Sequence, residues 1–215
     1  MSDVNVCVYI VPNKEDIPTD QKIRQTMFIH LTGQYAPPCV RRPRSADAIL
    51  VFRTSQGKPY LPEYPQLHIS VSHSGAWVVC AVGLFPIGID LQDHARLKGE
   101  SAADAAKRYV KIADRFFHQR EADYVRAAPL DRFFSIWTAK ESYVKFTQQG
   151  IDHTFSDFCV LEDPPPSAMG WEHAWQAEGV WFRQMPFDQA YTLCLCSAVF
   201  CHWQLIHPYI WIELI

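Results

Sequence analysis

Residues 133–147 read FFSIWTAKESYVKFT. A buried helix avoids charge, and a solvated one avoids that much aromatic surface. A lysine, a glutamate and a second lysine in its middle therefore mark a helix that both packs and carries chemistry. At helical spacing, Phe133, Ile136, Tyr143, Val144 and Thr147 form a stripe able to face a core. Glu141 and Lys145 lie four apart, on one face with Trp137 and roughly Phe134. That pair reads either as an exposed i,i+4 ion pair or as part of a site. Lys140 sits near the core stripe and is expected to orient its neighbours rather than meet substrate.

Upstream, LHISV (67–71), AWVVCAVG (76–83) and IGIDLQ (87–92) predict three strands in succession, with the turns SHSG (72–75) and LFPIG between them. In the last strand Ile87, Ile89 and Leu91 share one face, while Gly88, Asp90 and Gln92 share the other. One face is expected to pack and the other to present a carboxylate. Further upstream, VNVCVYIV (4–11) predicts a strand. Ile23, Met27 and Leu31 predict an amphipathic helix over 19–35, closed by Gly33 and Pro37-Pro38. A strand is expected around Ala48–Phe52, before a turn at 55–59.

From 99 to 148 the pattern is helical, in pieces at 101–110, 119–127 and 131–148. Asp131 is the expected cap of the last piece, and Gly150 lies just past its end. FCVLE (158–162), the prolines of 164–166, and β-like runs at 179–183, 191–199 and 203–213 then predict a second antiparallel sheet. Segregated strands and helices define an α+β class. Antiparallel pairs on both sides of the helical block point to two similar lobes, over 1–87 and 88–215.

Bulk properties narrow the function. With 215 residues, 48% of them apolar, the chain is long enough for one sizeable core or two small ones. No run of 18 apolar residues exists, and MSDVNVCVYIVPNKED lacks the features of a signal peptide. Seven scattered cysteines fit reduced thiols in a cytoplasmic protein without a membrane partner. A net charge of −3 argues against a general nucleic-acid binder. The local exception is RRPR (41–44), which reads as a solvated loop or as a contact for phosphates or an acidic partner.

Three spots carry candidate chemistry. Asp90 is either a solvated strand residue or, inside an apolar strand after a tight turn, a ligand for a hard cation. SHSG is either an ordinary hairpin turn or an anion cradle of backbone N–H groups plus His73. A hydrolase triad of His73, Asp90 and a serine is disfavoured because the GxSxG elbow is missing. GxxxxGK[ST] and GxGxxG are missing too, so the usual nucleotide loops are not used. Cys194, Cys196, Cys201 and His202 form only a weak zinc pattern.

Five segments in register, GKPYLP (57–62), HISVSHSGAWVVCAV (68–82), PIGIDLQ (86–92), RFF (115–117) and FFSIWTAKESYVKFTQQGI (133–151), resemble the two-lobed, surfactin-synthetase-activating type of 4′-phosphopantetheinyl transferase. The resemblance covers about 57–160. It implies two pseudo-twofold α+β lobes, each an antiparallel sheet with packed helices, and an active site in the cleft between them. It also implies transfer of the phosphopantetheine arm of coenzyme A to a serine of an apo acyl or peptidyl carrier protein, releasing 3′,5′-ADP. By the same resemblance Asp90 and Glu141 hold Mg²⁺, with Mn²⁺ as an alternative, and Glu141 also deprotonates the serine. Lys145 meets the α-phosphate, His73 the pyrophosphate, Lys58 the 3′-phosphate, and Ser72 the adenine and ribose side.

The chain departs from the family twice. Where many relatives carry a third metal-binding glutamate it has Gln92, whose amide oxygen is a weaker ligand. Before GKP it has few basic residues, so Arg24, His30, Arg41, Arg42 and Arg44 are the remaining nucleotide contacts, with Arg42 in the basic knot. The fused length implies a monomer. Tyr109, Phe116, Phe117 and Tyr124 are candidates for carrier docking, or core. The rival readings are a metal-dependent phosphohydrolase of coenzyme A or nucleotides, and a non-catalytic module binding coenzyme A or a carrier.

Overall fold

The computed structural model describes residues 4–148, 153–165 and 173–206. In chain order the elements are β1 (Val4–Pro12), α1 (Thr19–Thr32), β2 (Phe52–Arg53), β3 (Pro59–Tyr60), β4 (His68–Ser74), β5 (Trp77–Gly83) and β6 (Ile87–Asp93). There follow α2 (Ala102–Phe116), α3 (Gln119–Ala127), α4 (Pro129–Thr147), β7 (Ala174–Ala177), β8 (Val180–Met185), β9 (Tyr191–Ser197) and β10 (His202–Ile206). The chain divides into two compact units, one formed by Met1–Ile87 with the segment from Cys201 onward, the other by Gly88–Phe200. Among the described residues no helix is long and apolar enough to cross a membrane.

The first unit is built on a sheet of order β10-β1-β5-β4. The β1, β5 and β4 pairings are antiparallel, and β4 meets β5 through the two-residue turn Gly75-Ala76. Gly75 takes the positive φ of 53° that such a turn asks of its first residue. Helix α1 lays Ile23, Met27 and Leu31 onto Cys7, Tyr9, Ile69, Cys80 and Val82, giving the apolar stripe its core. It stops at Thr32, three residues short of the expected end, where the Gly33 N–H caps the Ile29 carbonyl.

The expected strand at 48–52 is mostly not a strand. Ala46–Ala48 is a turn of 3₁₀ helix, Ile49 is buried, and only Phe52–Arg53 pairs, with Pro59–Tyr60. The expected second lobe also loses its end. β10 runs parallel to β1, with Cys7 opposite Gln204 and Tyr9 opposite Ile206, so the first sheet is mixed rather than antiparallel. The remainder of the expected 203–213 strand lies outside the described residues.

The second unit carries a sheet of order β6-β9-β8-β7, with β7, β8 and β9 antiparallel. Helix α4 packs on β9, α2 and α3. Its N-cap is Ala128 with Pro129 at the first turn, where a missing N–H costs nothing, so Asp131 sits inside the first turn instead of capping. At the other end Gln148 adopts φ 60° and its N–H reaches the Val144 carbonyl. Gly150 lies outside the described residues, as does Pro166 at the end of the proline run.

FCVLE forms no strand because side chains take its backbone groups. The Val160 N–H donates to Glu121 Oε1 at 2.7 Å, and Trp175 Nε1 donates to the Val160 carbonyl at 2.7 Å. Tyr109 stacks on Phe133 at 4.4 Å, and Phe117, Trp137 and Phe155 continue the aromatic core.

Candidate active site

Gly88 explains how β6 and α4 meet. A Cβ there would overlap the Ser142 carbonyl oxygen and come within 2.6 Å of the Phe146 amide nitrogen. Only glycine lets the helix backbone lie this close to the strand. Because alternate strand residues share a face, Asp90 points toward the same helix. Glu141 and Lys145 precede Ser142 and Phe146 by one residue each, so the helix sets them beside Asp90. The expected division into a packed and an open face is thus corrected: Ile87, Ile89 and Leu91 are fully buried, but Asp90 is 2% exposed as well.

Lys145 Nζ donates to Asp90 Oδ1 at 2.7 Å, with Asp90 almost fully enclosed. Gln92 Nε2 donates to Asp90 Oδ2 at 3.1 Å. Glu141 is 7% exposed, and its carboxyl is pushed up to about 7. Burial is the larger cause; the Asp90 charge adds to it and Lys145 opposes it. Two buried carboxylates thus stand close enough to repel each other. No cluster of three or more His, Cys, Asp or Glu side chains forms among the described residues. Asp90 and Glu141 are the acidic pair, and Gln92 stands beside them as an amide donor.

Lys140 proves to be structural. Neither it nor Glu121 has exposed side-chain surface, and Nζ meets Glu121 Oε2 at 2.8 Å. It also donates to the Phe158 carbonyl at 2.8 Å and lies 3.9 Å from the centre of the Phe158 ring. Burial pushes the Lys140 ammonium down and the Glu121 carboxyl up, against their mutual attraction. Sequence reasoning missed Glu121; its one local signal is the Glu three residues after His118, whose side chain accepts the His118 N–H in a capping box.

The remaining expected site residues belong to the first unit. Ser72 and His73 lie in the β4 ladder opposite Val79 and Val78, not in a turn. Ser72 is 6% exposed and His73 is exposed. Lys58 Nζ donates to the Ile87 carbonyl at 2.9 Å. Arg42 is exposed in the segment before β2. His30, another basic candidate, is buried with Nδ1 2.9 Å from the Tyr9 hydroxyl, which leaves it poorly suited to a phosphate.

Of the four docking candidates, Tyr109, Phe117 and Tyr124 are core at 7% exposure or less, and only Phe116 is exposed. Cys194 and Cys196 are buried in the second core, and burial pushes the Cys194 thiol up to about 12, which suits packing rather than metal.

Strand and helix carboxylates thus meet beside one lysine on an α+β scaffold. The family model described as 4′-phosphopantetheinyl transferase superfamily matches residues 86–196, which contain all of it. The chain is 33% identical over 147 residues to a 4′-phosphopantetheinyl transferase of Bacillus subtilis, covering 66% of this chain and 60% of that protein. It is 34% identical over 155 residues to 4′-phosphopantetheinyl transferase psf-1 of Bacillus pumilus, covering 69% and 60%. A more distant relative is the L-aminoadipate-semialdehyde dehydrogenase-phosphopantetheinyl transferase of Xenopus laevis, 32% identical over 116 residues and matched over 37% of its length. This chain belongs to the 4′-phosphopantetheinyl transferase superfamily. It spans about 60% of the length of the two bacterial relatives.

Proposed function

We propose that the protein transfers the 4′-phosphopantetheine arm of coenzyme A to a serine of an apo acyl or peptidyl carrier protein. The observation that carries this reading is the Asp90–Glu141 pair, enclosed and mutually repelling, with Lys145 set against it. Such a pair fits a divalent cation, since hard oxygen donors suit Mg²⁺ or Mn²⁺ and Mg²⁺ needs only one or two protein carboxylates. Asp90 and Glu141 would hold the ion, and Gln92 would join them by turning its amide oxygen inward. The ion supplies charge neutralisation at the coenzyme's diphosphate.

In the reaction the serine oxygen bonds to the β-phosphorus, the bond from that phosphorus to the bridging oxygen breaks, and 3′,5′-ADP leaves. Glu141 is the proton acceptor of this reading, directly or through water. The Lys145 side chain is 29% exposed, and its ammonium is the group that stabilises charge on the leaving phosphate in this reading. His73 binds the pyrophosphate, Lys58 the 3′-phosphate, Ser72 the adenosine side and Arg42 a further phosphate. Pseudo-twofold lobes with the site between them, a monomeric state and a cytoplasmic location complete the proposal.

Incubation with coenzyme A and apo carrier, followed by weighing the carrier, tests it. A carrier heavier by one phosphopantetheine group is expected. Consumption of coenzyme A with unmodified carrier would instead establish the phosphohydrolase, and neither change would leave a binding module.

A further inference from the structure

The segment 41–60, RRPRSADAILVFRTSQGKPY, has five basic residues and one acidic, in a chain whose net charge is −3. It also holds three of the largest exposed apolar side chains: Leu50 at 49%, Phe52 at 49% and Tyr60 at 43%. Phe52 and Tyr60 are cross-strand partners on the β2–β3 ribbon, with ring centroids 6.0 Å apart. Arg53 follows Phe52 and is held by Asp20 and the Gly57 carbonyl, which braces the ribbon. Arg41 lies 3.9 Å from Glu63, three residues past Tyr60, so the basic knot returns to the foot of the same ribbon. Arg42 and Arg44 are exposed and make no ion pair among the described residues.

Solvated aromatics on a two-stranded ribbon, rimmed by arginines, match the composition of a binding surface, an apolar centre with a charged rim. We propose that this ribbon and its arginines dock the carrier protein, and that they select carriers whose contacting face is acidic with apolar side chains at its centre. The proposal rests on the carrier-modifying reading above. Charge complementarity names the occupant. The patch is positive while the rest of the chain is strongly negative, which favours a compact acidic face and disfavours a long polyanion that would run onto the acidic surroundings. The exposed aromatics of the ribbon would act on encounter and carrier affinity and take no part in the phosphoryl transfer.

Steady-state modification of an acidic carrier tests this, using Phe52→Ser, Arg41→Glu and Arg44→Glu in the full chain. Phe52→Ser is expected to raise KM for the carrier about tenfold, as loss of a buried aromatic anchor does. Each arginine reversal is expected to raise it several-fold at low salt, with the difference shrinking at high salt. For Phe52→Ser, KM for coenzyme A and kcat should stay within about twofold of wild type, which also reports that the variant is folded. An arginine reversal that raises KM for coenzyme A as much as KM for the carrier would assign that arginine to the nucleotide and not to docking. Reversing the carrier's own acidic residues should reproduce the defect in wild type and lessen it in Arg44→Glu. If the wild type modifies carriers and all three variants match it, the docking surface is wrong while the transferase reading stands. If the wild type modifies none, both fall together.

Discussion

Replacing Lys140 with methionine isolates the structural half of the helix 133–147. The ammonium has no exposed surface and meets three partners: Glu121 at 2.8 Å, the Phe158 carbonyl at 2.8 Å and the face of Phe158 at 3.9 Å. Methionine fills much the same volume, so the cavity cost is small and the electrical cost dominates. Glu121 would keep only the Val160 and His118 N–H donors, at 2.7 and 2.9 Å, against complete burial. Removing one partner of a buried pair costs about 3–5 kcal/mol, because the survivor is an uncompensated charge. That loss should appear as a lower midpoint in urea unfolding followed by tryptophan fluorescence. Adding Glu121→Gln removes the charge and leaves an amide able to accept from Val160, so the double variant should recover stability relative to Lys140→Met. The sign of the pH effect follows from the stranded carboxyl. Its folded pKa rises further above the unfolded value, so stability is retained below the unfolded pKa and lost as pH rises through the folded one; the defect should be smaller at pH 5 than at pH 8. A single variant within about 1 kcal/mol of wild type, or a double variant less stable than Lys140→Met, would refute the reasoning.

Three further outcomes follow from the same geometry. Gln92→Glu places a third carboxylate beside Asp90 and should lower the Mg²⁺ concentration for half-maximal modification by roughly tenfold; an unchanged half-saturation contradicts a role for position 92. Gly88→Ala forces a methyl into the Ser142 carbonyl, so unfolding measurements should show a loss of more than about 1 kcal/mol together with slowed carrier modification, and a variant normal in both removes the close-approach argument. Burial holds His30 down to about 4, so the unfolded chain takes up the proton first as pH falls. Stability of the first unit should drop by about 3 kcal/mol between pH 7 and 4 and level off below that, and His30→Gln should flatten the curve.

Much of this was legible locally. Short β-rich apolar runs placed β4 and β5, period-2 alternation was read in β6, and its even-numbered face correctly grouped Gly88, Asp90 and Gln92. The i,i+4 spacing correctly paired Glu141 with Lys145 as residues of one helix face. The depth of Asp90 was not legible, because burial depends on which element lies over the strand, and that is decided by Gly88 meeting α4 fifty-odd residues later. Glu121 escaped for a related reason: its partner is 19 residues away on another helix, and only the packing of α3 on α4 joins them. The parallel pairing of β10 with β1 links opposite ends of the chain and leaves no periodicity to read. Within SHSG, Gly75 marks the turn while Ser72, His73 and Ser74 extend the strand, a distinction that composition alone does not make.

Mn²⁺ stoichiometry by electron paramagnetic resonance, with coenzyme A present, addresses the shared-ion site most directly. One tightly held ion per wild-type chain is expected, lost equally in Asp90→Asn, in Glu141→Gln and in the double variant. Full retention of that ion by either single variant would show that strand and helix do not grip it together.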